Sequence, residues 1–210
     1  MSGEKGGGNR NYGFEKGGEQ QRLRFRKSAG YDRIGGEPGG VSLQKSRNRK
    51  RSRMYRILFI CWGNICRSPM AEFILKDVVA KRYIADEFVI ESAATSTEEI
   101  GNGVYPPAKI ELKKHGIGTP ENELGLSQKR ARQLRAGDYS KWDYIIGMEK
   151  LNMSYMLRIL GGDPEGKVKL LMDFTGTPED IDDPWYTGDF GGVYRQIVRG
   201  CEALLRELGY

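Results

Sequence analysis

The strongest constraint on this chain lies in nine residues, Cys61-Trp62-Gly63-Asn64-Ile65-Cys66-Arg67-Ser68-Pro69, directly behind the apolar run Ile57-Leu58-Phe59-Ile60. The apolar run reads as a buried strand, and Pro69 suits the first turn of a helix, where a missing N–H is harmless. The nine residues thus form a strand-to-helix loop. Gly63 permits the sharp turn, or a positive φ, that lets successive amides converge, and Asn64 tolerates a left-handed backbone or bonds across the loop. Converging amides in front of the positive end of a helix hold an anion. A phosphoryl group seated there would meet the Cys61 sulfur beneath it and the Arg67 guanidinium at its equatorial oxygens. The same positive field favours a thiolate, and Ser68 can donate its hydroxyl to that sulfur.

A Cys-x5-Arg spacing alone is weak, and Cys61 and Cys66 could instead be packing residues or half a metal site. The chain has three cysteines and one histidine. With only Cys201 and His115 left to contribute, a structural zinc site would be short of ligands. A Walker-type loop is excluded by the lack of Gly-Lys-Ser/Thr. The expectation is a cysteine-dependent phosphatase with no metal and no organic cofactor.

The rest of the chain supports such a loop. Strands are expected at 55–60, 88–90 (ending at Glu91-Ser92), 143–148 and 168–171. Helices are expected from about Ser68 with an apolar face of Met70, Ala71, Phe73, Ile74, Val78 and Val79, over 107–114, from Leu151 to Gly161, and over about 190–208. Strands alternating with helices predict a three-layer α/β fold, a four-stranded parallel sheet with helices on both faces and flavodoxin-like topology. Sites in such sheets lie at the carboxyl ends of the strands, where Cys61 falls.

Composition divides the chain in two. Residues 1–53 carry 14 Lys+Arg against 5 Asp+Glu, net +9, whereas 54–210 carry 20 against 23, net −3. The first segment also holds 12 of the 29 glycines and too little apolar surface to offset the entropy of ordering. It is expected to be a disordered basic extension, with Met54 an alternative start. Nucleic acid has a case only through its run Arg47-Asn48-Arg49-Lys50-Arg51-Ser52-Arg53. Residues 54–210 suffice for one domain. No stretch reaches the roughly 20 apolar residues of a membrane span, and the cysteine spacing suits a reducing compartment. The expected setting is cytoplasmic, without membrane insertion.

Cys61 to Pro69 resembles the signature of the low-molecular-weight protein tyrosine phosphatase family. The likeness continues through Ser92-Ala93-Ala94-Thr95-Ser96, Pro107-Ala108, His115-Gly116-Ile117, Arg130-Ala131-Arg132-Gln133, Asp143-Tyr144-Ile145-Ile146, Met148-Glu149-Lys150-Leu151-Asn152 and Asp182-Asp183-Pro184-Trp185-Tyr186. It covers nearly all of 54–210 and none of the first segment. The resemblance implies Cys61 as nucleophile, Arg67 as phosphate clamp, Ser68 as thiolate partner, Asn64 as loop organiser and Asp183 as general acid. Asp183 is expected in a loop pinned by Pro184, with Asp182 either tuning it or solvated. Trp185 and Tyr186 are expected to form one wall of an aromatic slot and Trp62 the other. Glu98 stands on the rim where relatives often carry an aromatic.

The implied substrate is a tyrosine-phosphorylated protein, handled by a monomer or weak dimer. Family members acting on phosphoarginine tend to carry threonine where this chain has Ile65, so isoleucine favours phosphotyrosine over a protein arginine phosphatase. An arsenate reductase of the same fold would need further relay cysteines, absent from 67–200. A phosphoprotein- or nucleic-acid-binding module without turnover would be expected to lack Cys61, Arg67 or Asp183, and all three are present. Cys66 is a candidate for a reversible disulfide with Cys61 that would shield the nucleophile. Lys129 replaces a frequent histidine near the network that supports the loop.

Overall fold

A computed structural model describes residues 53–210. Except at Arg53, the expectations placed on the basic segment lie outside these residues. Strands β1 (Tyr55–Cys61), β2 (Phe88–Ala94), β3 (Tyr144–Gly147) and β4 (Val168–Leu170) form one parallel sheet in the order β2-β1-β3-β4. The helices are α1 (Arg67–Lys81), α2 (Pro106–Lys114), α3 (Lys150–Leu160), α4 (Pro184–Thr187) and α5 (Phe190–Glu207).

β1 is central, so both of its faces are buried and its alternate residues enter different cores. Ile57, Phe59 and Cys61 join the core built with α1 and α5, whereas Leu58 and Ile60 pack with Ile145, Met156 and Trp142 on the α3 side. The three-layer α/β architecture is as expected. Because β2 pairs on one side of β1 and β3 on the other, the chain direction across the sheet reverses there. The loop leaving the carboxyl end of β1 opens into that crevice, the usual ligand position in such sheets.

Three elements differ from expectation. β2 runs on to Ala94, because Ser92, Ala93 and Ala94 pair with Phe59, Ile60 and Cys61. Small residues carry little strand propensity of their own, and a central partner strand supplies what they lack. α1 buries nearly its whole circumference rather than one face, Glu72 and Asp77 included, since sheet, α5 and the loop enclose it. Asp183 caps a one-turn helix, accepting a hydrogen bond from the Trp185 backbone N–H at 3.0 Å. Asp followed by Pro is an N-cap with proline at N1, a signal available in the sequence.

Gly200 marks where α5 approaches the turn at Leu171–Thr175. A Cβ placed there would meet Leu171 Cγ at 2.5 Å, and Leu171 is fully buried. Gly200→Ala is therefore expected to destabilise the domain by about 1–2 kcal/mol, the overpacking outweighing the helix-propensity gain. Urea unfolding measures it; an increase in stability would show that the contact is slack.

Candidate active site

The loop after β1 is wound around the Cys61 sulfur. The backbone N–H of Asn64 donates to Sγ at 3.3 Å, and the Ser68 hydroxyl lies 3.1 Å from it. Asn64 has φ +56°, the left-handed conformation expected of this loop, whereas Gly63 does not adopt positive φ. A Cβ at Gly63 would instead come within 3.1 Å of Glu99 Cγ, a tight contact that the Glu99 side chain would have to relieve by a small shift. The strain at Asn64 is offset by its side chain, whose amide donates to Ser68 Oγ at 2.9 Å and Ser92 Oγ at 2.8 Å and whose carbonyl accepts from the Arg132 backbone N–H at 3.2 Å. α1 begins at Arg67 with no side-chain cap on its N-terminus. Its first amides are thus free of a capping side chain, as an anion site requires.

Arg67 is 2% exposed. Its Nη2 donates to Glu149 Oε1 at 2.9 Å and Asp183 Oδ2 at 2.6 Å, and its Nη1 donates to the Ile181 carbonyl at 3.1 Å. Nε is buried without a partner, leaving one charged donor for an oxyanion. Burial works against the guanidinium charge, but Cys61, Glu149 and Asp183 outweigh it and raise its pKa further. Glu149 was not singled out in the sequence. It precedes α3, as Asp183 precedes α4, and two loops distant in sequence converge on one guanidinium.

The residues expected to form the site surround one cleft of about 190 Å³. Cys61, Trp62, Gly63, Ile65, Cys66 and Arg67 line it from the loop, Asp183, Trp185 and Tyr186 from the start of α4, and Glu98 and Glu99 from the segment after β2. Asn64 and Ser68 are buried behind it. Trp185 is 55% exposed, so it borders the cleft rather than the core. Its ring packs on Tyr105 at 5.0 Å, and Trp62 meets Tyr155 edge-on at 5.2 Å. Asp182 is exposed and borders a separate groove. Cys66 is a buried free thiol, and burial, followed by its closeness to Cys61 and Asp183, pushes its pKa up to about 12 against the pull of Arg67. Among the described residues no His/Cys/Asp/Glu group could hold a metal ion.

Behind the loop runs a buried polar chain. Ser92 Oγ donates to Glu72 Oε2 at 2.6 Å, and Lys129 Nζ meets the same oxygen at 2.7 Å while donating to the Ser92 carbonyl at 2.9 Å. With Asn64 and Ser68, this chain connects Lys129 to the Cys61 sulfur. Burial pushes the Glu72 carboxyl up, but Lys129 and Lys76 prevail and hold it below its ordinary value; burial depresses Lys129 in turn. Glu72→Gln would leave Lys129 without its carboxylate and is expected to cost about 3–5 kcal/mol at neutral pH. A depressed carboxylate contributes stability that is present above its unfolded value of 4.5 and lost as pH falls through its folded value. The gap between wild type and Glu72→Gln in denaturant titrations should therefore close below pH 4.5; a gap that does not vary with pH would refute an ionic role.

Comparison with known proteins agrees with this geometry. The family model described as low molecular weight phosphotyrosine protein phosphatase matches residues 56–210. The chain is 34% identical over 157 residues to the low molecular weight protein-tyrosine-phosphatase YfkJ of Bacillus subtilis, covering 74% of this chain and 96% of that protein. It is 36% identical over 156 residues to the rat low molecular weight phosphotyrosine protein phosphatase, covering 72% and 94%. The crystal structure of YfkJ superposes with a TM-score of 0.69 over 76% of this chain and 97% of that one. That of DARP, described as a Drosophila arginine phosphatase, superposes with a TM-score of 0.63 at 32% identity, over 73% and 98%.

Proposed function

Because the chain belongs to the low molecular weight phosphotyrosine protein phosphatase family, we propose how its protein-tyrosine-phosphatase activity runs through Cys61, Arg67 and Asp183. The Cys61 thiolate attacks the phosphorus of phosphotyrosine. As the S–P bond forms and the P–O bond breaks, Asp183 gives its proton to the departing phenolate. Water then attacks the cysteinyl phosphate, Asp183 takes up a proton from it, and the S–P bond breaks to release phosphate. The Ser68 hydroxyl and the Asn64 amide stabilise the thiolate at both ends of the cycle.

The observation that carries this reading is the direct contact of Arg67 with Asp183, at 2.6 Å, in the cleft that Cys61 also lines. An arriving phosphate dianion competes with Asp183 for the guanidinium. Once displaced, Asp183 is free to face the ester oxygen, where the departing phenolate needs its proton. The Trp62 and Trp185 rings supply the walls for a phenyl group. The same fork and amides supply the charge stabilisation of the transfer.

Phosphoarginine is the second reading, favoured by the likeness to the Drosophila arginine phosphatase. Ile65 argues against it, since it lines the cleft and offers a guanidinium no acceptor. Matched phosphotyrosine, phosphoserine and phosphoarginine peptides, assayed under reducing conditions without added metal, are expected to show phosphotyrosine hydrolysed fastest. Faster phosphoarginine hydrolysis would reverse the assignment, and no hydrolysis of any peptide would leave only phosphate binding.

Cys66 suits a protective role. A peroxide would oxidise the Cys61 thiolate to a sulfenic acid, and condensation with the Cys66 thiol would release water and form a disulfide that thiols can reduce. The three free cysteines suit the cytoplasm, and among the described residues no helix is long and apolar enough to cross a membrane. Residues 54–210 form the phosphatase domain in this reading, as monomer or weak dimer, with 1–53 appended as a basic segment.

A further inference from the structure

The charges around the mouth of the cleft are unusual for a pocket that receives a dianion. Glu98 and Glu99 both line it. Each is held by a neutral donor: Glu98 Oε2 accepts from the Trp62 indole N–H at 2.8 Å, and Glu99 Oε2 from the Asn102 side-chain amide at 2.7 Å. Neither makes an ion pair among the described residues. Arg158, the cation over the Tyr155 ring at 4.7 Å from its centroid, pairs with neither. Among the described residues the one cation lining the cleft, Arg67, is buried and already bonded to Glu149 and Asp183. The rim therefore presents two carboxylates without an ion-pair partner among the described residues, beside the channel a phosphorylated side chain must enter.

Resting on the phosphotyrosine reading, we propose that Glu98 and Glu99 form a cation-selecting rim, so that the substrates of this enzyme are phosphotyrosines flanked by lysine or arginine. The phosphate occupies the loop at the bottom of the cleft, and residues beside the phosphotyrosine pass the rim. A basic neighbour pairs there with a carboxylate; an acidic neighbour meets two like charges and is rejected. The indole bond gives Glu98 a second task. It fixes the ring of Trp62, which leans on Tyr155, so charge selection and the aromatic wall are built from one contact.

The test is kcat/KM on matched phosphotyrosine peptides carrying lysine or glutamate on either side of the phosphotyrosine, at low and high salt. Each rim pair at an exposed site contributes about 0.2–1 kcal/mol, so two give roughly a 2- to 30-fold preference for the lysine peptides at low salt. That preference should shrink as salt rises and fall to about unity in E98Q/E99Q. Glutamine retains an acceptor for the indole and for Asn102, so the double variant removes charge while keeping the wall. Trp62→Phe removes the indole donor and keeps both charges, and should retain the preference for lysine. Equal rates on the two peptide sets in wild type, or a preference unchanged by salt or by E98Q/E99Q, would overturn the rim. The salt series on wild type decides this even if a variant misfolds. Turnover without discrimination removes only the rim, whereas no turnover on any phosphotyrosine peptide removes the catalytic reading with it.

Discussion

Cys61→Ser is expected to reduce phosphotyrosine turnover by roughly 10⁴-fold or more, while substrate still binds. Serine is a weak nucleophile without a base, and among the residues around Sγ none is placed as one. Asn64 N–H donates to it, and Ser68 is itself a hydroxyl. A site arranged to stabilise a thiolate cannot stabilise an alkoxide to the same degree, because the gap between the ordinary thiol and hydroxyl acidities far exceeds what a few hydrogen bonds supply. The phosphate cradle survives the change, since the loop amides, Arg67 and the start of α1 are untouched. Single-turnover assays with a phosphotyrosine peptide, paired with a binding titration, check both halves. Activity within tenfold of wild type would mean that Cys61 is not the nucleophile. Loss of binding together with activity would mean that the sulfur holds the loop together as well.

The second large effect belongs to Asp183→Asn, where kcat on phosphotyrosine peptides should fall by about 10²–10³-fold. Asparagine is as good an N-cap as aspartate, so α4 and the Trp185 wall should remain in place. With its one carbonyl oxygen in the capping place of Oδ1, its NH2 group faces Arg67 Nη2, so the contact with the guanidinium is lost. What asparagine also lacks is a proton to give. The loss should therefore be smaller for aryl phosphates whose phenols are strongly acidic, which leave without protonation, and larger for weakly acidic phenols. Rates plotted against leaving-group acidity for wild type and variant read this directly. Equal loss across the series would point to a disturbed Arg67 rather than to proton transfer.

The contrast between Asp183 and Glu149 shows what kind of information was legible. Asp183 stands in a local pattern, carboxylate then proline then aromatics, and a helix cap can be read from neighbours in sequence. Glu149 has no such pattern, although it makes the same kind of bond to the same guanidinium. Glu72 and Lys129 are alike in this. On α1, Glu72 stands among apolar residues with no mark of a role, yet it is 3% exposed because Lys129, Ser92 and Lys76 surround its carboxylate. Nothing in a linear pattern distinguishes a buried carboxylate with partners from an exposed one without, because Ser92 and Lys129 arrive from 20 and 57 residues away. Glu99 is alike in this, since nothing in two adjacent glutamates says that both line one cleft.

The amino-acid sequence by itself determined the strand, loop and helix that hold Cys61 and Arg67, and the alternation of strands with helices that calls for a parallel sheet. These depend on hydrophobic period, glycine and proline placement and helix termini, all of which act within a few residues along the chain. Tertiary structure alone decided that Asp183 and Glu149 share Arg67, that a half-buried lysine reaches the nucleophile through Glu72, Ser92, Asn64 and Ser68, and that the rim bears two carboxylates without an ion pair among the described residues. Those outcomes depend on which side chains the closed sheet brings within hydrogen-bond distance. Coulomb and hydrogen-bond energies fall with distance through space, and distance along the chain does not encode it.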